Sequence, residues 1–227
     1  MGGAAAMNVA HRVGYRSALI AFVAGAAYDV AQLLQIVGIL KPPWDGVLIF
    51  GTSLVIAVPF TVAIVALHQV TPIDRQLWTQ AALSMSVVYV TYVTLNYAVQ
   101  LAVVIPRLTT PSAIAILDQT PHSLLWTIDG LGYIFLGAAT LFAAPALSGS
   151  PSRTWVRRFF VANALVTPLI SLVYFYPTFS IPLLLLGSPW SVTAPGSFLA
   201  LALMFRKEAA AGNAPRDRRV SYEHGSR

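Results

Sequence analysis

Six stretches of this chain are long enough and apolar enough to cross a lipid bilayer, and no other feature narrows the possible folds so far. A membrane-spanning helix needs about 20 mainly apolar residues. In hydrocarbon, every backbone donor and acceptor must be satisfied within the protein, so spans are helices or closed barrels. The first run goes from about Arg16 to Leu40 and stops at Lys41-Pro42-Pro43. The second covers Gly46 to Leu67, before His68. The third covers Trp78 to Ile105, before Pro106-Arg107. The fourth covers Leu124 to Leu147 and meets the turn Ser148-Gly149-Ser150-Pro151. The fifth runs from Arg158 to Tyr176, before Pro177. The sixth is interrupted by Gly187-Ser188-Pro189 and Ala194-Pro195-Gly196. Proline removes a donor and clashes with the preceding turn. The last helix is therefore expected from Trp190 to Phe205, with Ile181 to Leu186 as a separate apolar outer or re-entrant segment.

Composition agrees with this reading. The chain is 57% hydrophobic and 10% charged, against about 25% charge in a soluble domain, which excludes a soluble globular or disordered protein. It has no Cys, which excludes a disulfide scaffold, a thiol enzyme, a Cys-ligated zinc site and an iron–sulfur protein. Lys and Arg collect in cytoplasmic loops. With six spans, 12 of the 14 basic residues fall on the side of the termini, and only Lys41 and Arg107 fall on the other. The expected fold is all-α: a polytopic bundle of six transmembrane helices, both termini cytoplasmic, in the cell membrane. Residues 1–207 form one domain, and residues 208–227 a polar, disordered cytoplasmic tail. The first run contains Asp29 and is too long for a signal-peptide core, so it reads as a retained span. The basic flanks serve topology and imply the bilayer, not nucleic acid, as partner.

Ionisable residues inside a bilayer cost about 2.5–3.5 kcal/mol each on insertion scales and turn towards the bundle interior or a cavity. Asp29 falls near the centre of the first span, and Asp129 about one turn inside the outer end of the fourth. Tyr28, Gln32 and Gln35 share a stripe with Ala21 and Gly25, flanked by Asp29. In the third span Tyr89, Tyr92, Asn96 and Gln100 recur at three, four and four. At 1.5 Å rise per residue, Gln32, Gln35, Asn96, Gln100 and Asp129 fall within about 5–13 Å of the membrane centre, in the outer half. These positions imply a polar pocket opening outward. Tyr174, Tyr176 and Trp190 fall near the outer interface.

No metal-ligand spacing, phosphate loop or nucleophile elbow is present. His68 and His122 fall on opposite sides of the membrane, so a haem between spans is not expected. No metal or cofactor is called for.

The stretches Tyr28-Asp29-Val30-Ala31-Gln32-Leu33-Leu34-Gln35 and Asp129-Gly130-Leu131-Gly132-Tyr133, followed by Leu141-Phe142-Ala143-Ala144-Pro145, resemble a group of small six-span bacterial integral membrane proteins. That resemblance implies the six-span fold and supplies no activity. In kind, the chain is also similar to the integral-membrane terpene cyclases, compact bundles with carboxylate proton donors and an aromatic-lined cavity. Those rely on an intramembrane Glu, whereas Glu208 and Glu223 lie in the tail, so no catalytic residue carries over.

Three functions fit these residues. The first is a membrane-embedded enzyme or binder for a lipophilic, isoprenoid- or lipid-like small molecule. Desolvation disfavours a charged carboxyl, so Asp29 is the expected proton donor, with Asp129 as base or charge stabiliser. Tyr28, Tyr89, Tyr92, Trp126 and Tyr133 would stabilise a developing cation, and Gln32, Gln35, Asn96 and Gln100 would line the pocket. The second is a small proton-coupled transporter using Asp29 as carrier, for which a homo-oligomer would supply missing elements. The third is a non-catalytic assembly or sensory subunit.

Overall fold

The computed structural model describes residues 2–107 and 116–212, and side chains for residues 9–106 and 116–211. All regular structure among them is helical: α1 (Gly2–Ile36), α2 (Trp44–Gln69), α3 (Gln76–Val99), α4 (Leu124–Ala143), α5 (Pro151–Phe175), the short α6 (Ile181–Leu185) and α7 (Trp190–Gly212). Six helices are long and apolar enough to cross a membrane, so the chain is a multi-pass membrane protein. The six long helices close a ring in the order α1–α2–α3–α4–α5–α7 and back to α1. The start of α1 and the end of α7 share one end of the bundle, the near end; the opposite end is the far end.

Local chemistry sets where the helices begin and end. Gly38, at φ +75°, ends α1. Its N–H bonds Gln35 O at 2.9 Å, and Ile39 N bonds Leu34 O at 2.9 Å. This is the Schellman arrangement that a left-handed glycine permits, and it stops the helix four residues before Leu40, the expected end. Ser123, Ser150 and Ser180 cap α4, α5 and α6, accepting from Trp126 N, Arg153 N and Leu183 N. Each cap satisfies a backbone donor that the helix leaves free. α5 therefore starts at Pro151, seven residues before the apolar run. At its far end α3 widens into a π turn, Gln100–Val104. Pro59, Pro168 and Pro195 all lie inside continuous helices.

In lipid, helices associate through close packing more than through expulsion of water. The near half of the bundle is filled by Phe60, Phe160, Phe198, Phe205, Leu201 and Met204, each less than 2% exposed. Asn163 joins three helices inside it, donating to Thr140 Oγ1 and accepting from Thr193 Oγ1, both at 3.3 Å. The near rim is tied by Glu208. Arg153 Nε and Nη2 donate to its two oxygens at 2.7 and 2.9 Å, and His11 Nε2 stands 3.4 Å from Oε2. α7 continues to Gly212, so residues 208–212 are helix where a disordered tail is expected. The rest of that expected tail lies outside the described residues.

In the far half α7 starts late. Its first residue, Trp190, lies against Tyr28, with ring centroids 5.5 Å apart. From Tyr28, α1 runs on to Ile36, about 12 Å at helical rise. Over that height the place of α7 in the ring is taken by the turn Gly187–Pro189 and by α6.

Candidate functional site

A cavity of about 190 Å³ occupies the gap left by the late start of α7. Tyr28, Gln32 and Ile36 of α1 form one wall. Tyr133 of α4 and Ile170, Val173 and Tyr174 of α5 form another. Leu184, Leu185, Gly187, Ser188, Trp190 and Ser191 close it from the segment before α7 and from its first turn. Ile36, Leu184 and Leu185 are exposed, so the rim between α1 and α6 is apolar and faces where lipid would stand.

The floor is aromatic. Trp190 meets Tyr28 and Tyr133 edge to face, with centroids 5.5 and 5.2 Å apart. Tyr133 and Tyr174 lie 5.6 Å apart. Gln32 Nε2 donates to Tyr28 Oη at 2.9 Å, and the Tyr28 and Tyr133 hydroxyls stand 3.5 Å apart. Below this floor a crevice of about 10 Å³ is lined by Ser53, Tyr89 and Tyr97 among others. Tyr133 and Trp190 border both spaces.

Beside the cavity stands a polar cluster built on Asp129, which is 2% exposed. Tyr97 donates to Oδ1 at 2.7 Å. Tyr174 and Gln119 donate to Oδ2 at 2.5 and 2.9 Å. Three donors satisfy a carboxylate that burial would otherwise penalise. Asn96 Nδ2 donates to Gln119 Oε1 at 2.9 Å, and Gln100 Nε2 to Leu117 O at 2.8 Å. The π turn thus anchors the segment that carries Gln119. Gly130 makes the arrangement possible, because a Cβ there would lie 2.7 Å from Tyr174 Cγ. Tyr174 belongs to both structures: its hydroxyl serves Asp129 and its ring walls the cavity.

The expected site residues separate into groups. Tyr28, Gln32 and Tyr133 come together in the cavity wall. Asp129, Asn96 and Gln100 come together in the cluster. Trp126 is stacked on Tyr174 at 4.5 Å and donates to Tyr174 O at 3.1 Å, so it buttresses the site from behind. Tyr89 lies below the floor against Phe60. Tyr92 packs on Phe135 away from both spaces. Gln35 is exposed and bonds Asp45 Oδ2 at 3.1 Å. Asp29 does not line the cavity. Its neighbour is the Ser191 hydroxyl on the rim, and its Oδ1 is buried without a partner among the described residues.

Tyr97 and Gln119 are not among the expected site residues, and Tyr174 and Trp190 are expected only near the interface. A signal for Tyr97 exists. Thr79, Ala82, Ser86, Tyr89, Val93, Asn96 and Tyr97 are the buried positions of α3, and the small residues Ala82 and Ser86 mark that stripe as the inner one. Gln119 precedes α4, where helical periodicity says nothing. Comparison with protein-family models, curated proteins and solved structures finds no match for this chain.

Proposed function

We propose that this protein binds a lipophilic, isoprenoid- or lipid-like molecule in the far-end cavity and acts on it by acid–base chemistry through Tyr174. The observation that carries this reading is the double role of Tyr174, part of the cavity wall and hydrogen-bonded at 2.5 Å to the buried Asp129. Asp129 is then the positioning residue, and Tyr174 the group through which a proton passes between the occupant and Asp129, its oxygen exchanging one with the occupant as its own hydrogen moves along the bond to Asp129 Oδ2. The ring faces of Tyr28, Tyr133 and Trp190 supply the negative potential that stabilises a developing cation. The acid–base role assigned to Asp29 on sequence grounds moves to this pair, since Asp29 stands outside the lining.

Transport has less support. The near half is filled by the buried phenylalanines of α2, α5 and α7, and alternating access needs a path to both sides of a central site.

The test is what the purified protein carries. In mild detergent, native mass spectrometry and extraction should find one defined small hydrophobic molecule on the wild type and none on Ser191→Trp, which fills the rim from an exposed position. Only bulk phospholipid, the same in both, would overturn the reading.

A further inference from the structure

We propose that the occupant of the far-end cavity is a neutral, single-ring lipid bearing a carbonyl oxygen. Its ring lies on the Tyr28–Tyr133–Trp190 floor, and its tail leaves past Ile36 and Leu185 into the membrane. This rests on the reading that the cavity binds a lipophilic molecule, and it names the chemical class.

Size comes first. A dry cavity of about 150 Å³ holds a benzene ring. The volume of about 190 Å³ suits one ring, and anything longer extends through the rim. The exposed apolar side chains there suit a hydrocarbon tail.

Charge comes second. None of the residues lining the cavity is Asp, Glu, Lys, Arg or His. A phosphate or diphosphate headgroup buried there would have no cation to pair with, which an apolar site does not tolerate. The headgroup is neutral.

Hydrogen bonding comes third. Trp190 is 7% exposed, and its indole Nε1–H is buried with no partner among the described residues. Indole donates and cannot accept, and buried polar groups in folded proteins are almost always paired. Trp190 borders the cavity and the small crevice below it, and an acceptor held in the cavity would complete its hydrogen bonding. Tyr28 Oη already accepts from Gln32, and of the two hydrogens on the paired Tyr28 and Tyr133 hydroxyls one remains to be given. The floor is rich in donors and short of acceptors. A carbonyl oxygen, which only accepts, is the complement.

The experiment uses the full chain in mild detergent and three probes with one tail: decyl-1,4-benzoquinone, decylbenzene and decyl phosphate. Bound probe is separated by gel filtration and quantified by mass spectrometry. The quinone should bind at least tenfold tighter than decylbenzene, and decyl phosphate should not bind. In Trp190→Phe the quinone should lose about tenfold while decylbenzene is unchanged, which also shows that this variant folds. Tyr133→Phe gives a second, smaller loss for the quinone alone. Ser191→Trp should exclude both neutral probes. Equal affinity for quinone and decylbenzene, an unchanged quinone affinity in Trp190→Phe, or tighter binding of decyl phosphate would overturn the carbonyl assignment and leave the cavity reading standing. Binding of all probes unaffected by Ser191→Trp would overturn both.

Discussion

The Tyr174 hydroxyl reaches Oδ2 of Asp129 at 2.5 Å, although the two residues are 45 positions apart on neighbouring helices. That short bond depends on how closely the Tyr174 ring can lie on the helix that carries Asp129. The residue after Asp129 is Gly130, and the ring occupies the place of its missing side chain.

Gly130→Ala should therefore destabilise the bundle by about 1–3 kcal/mol, the usual cost of overpacking a filled core. The melting temperature in detergent is the readout, with Gly51→Ala beside it. Among the described residues nothing stands within 4 Å of where a Cβ at Gly51 would lie, so alanine there should be neutral or slightly stabilising. Equal melting of the two variants would contradict the close-approach argument.

The two intramembrane aspartates should respond in opposite ways to neutralisation. Asp129 accepts three hydrogen bonds. Asp129→Asn replaces an acceptor oxygen with a donor facing other donors, at a cost of about 1–3 kcal/mol. Asp29 has a buried oxygen without a partner among the described residues, so Asp29→Asn should leave stability unchanged or raise it. Chemical unfolding of both variants in detergent checks the order, and a larger loss for Asp29→Asn would reverse the assignment.

Glu208 is shared by α1, α5 and α7 at the near rim. Cutting the chain after Lys207 removes it, whereas cutting after Gly212 does not. The chain ending at Lys207 should lose about 2 kcal/mol, the scale of hydrogen bonds to a charged group, and the chain ending at Gly212 should lose almost nothing. Arg153→Met combined with Glu208→Met in the full chain should recover much of the loss, since apolar replacement of a pair largely withdrawn from water is often neutral. No difference between the truncations would show that the ion pair adds nothing to the fold.

The 12-to-2 split of basic residues predicts that the near end is cytoplasmic. The chain has no Cys, so single cysteines report cleanly on sidedness. Thr120→Cys, exposed before α4 at the far end, should react with an impermeant maleimide in intact cells. Thr154→Cys, exposed near the start of α5, should react only after permeabilisation. The reverse pattern would invert the topology.

The spans were legible because lipid imposes a length and a composition that few other environments demand. So was the independence of Ile181–Leu185 from the last helix, through the interruption at Gly187-Ser188-Pro189. The faces were harder. In α3 the stripe through Tyr92 and the stripe through Val93 differ by one residue, and both carry aromatics, so only the small residues Ala82 and Ser86 separate them. Tyr174 reads as an interfacial aromatic until Gly130, on another helix, is known to lie opposite it. Gln119 and Glu208 act from segments with no apolar periodicity. Their partners, Asp129 and Arg153, are 10 and 55 residues away, and no local rule connects such distances.

The late start of α7 means that the hollow arises by omission. The phenylalanines that fill the near half lie outside its lining. Its depth is set by the register at which one helix begins. A chain of this design can change its occupant by moving the Gly187–Pro189 turn along the sequence, in a stretch that carries little of the bundle's packing. The part that recognises and the part that holds the bundle together are then free to vary separately.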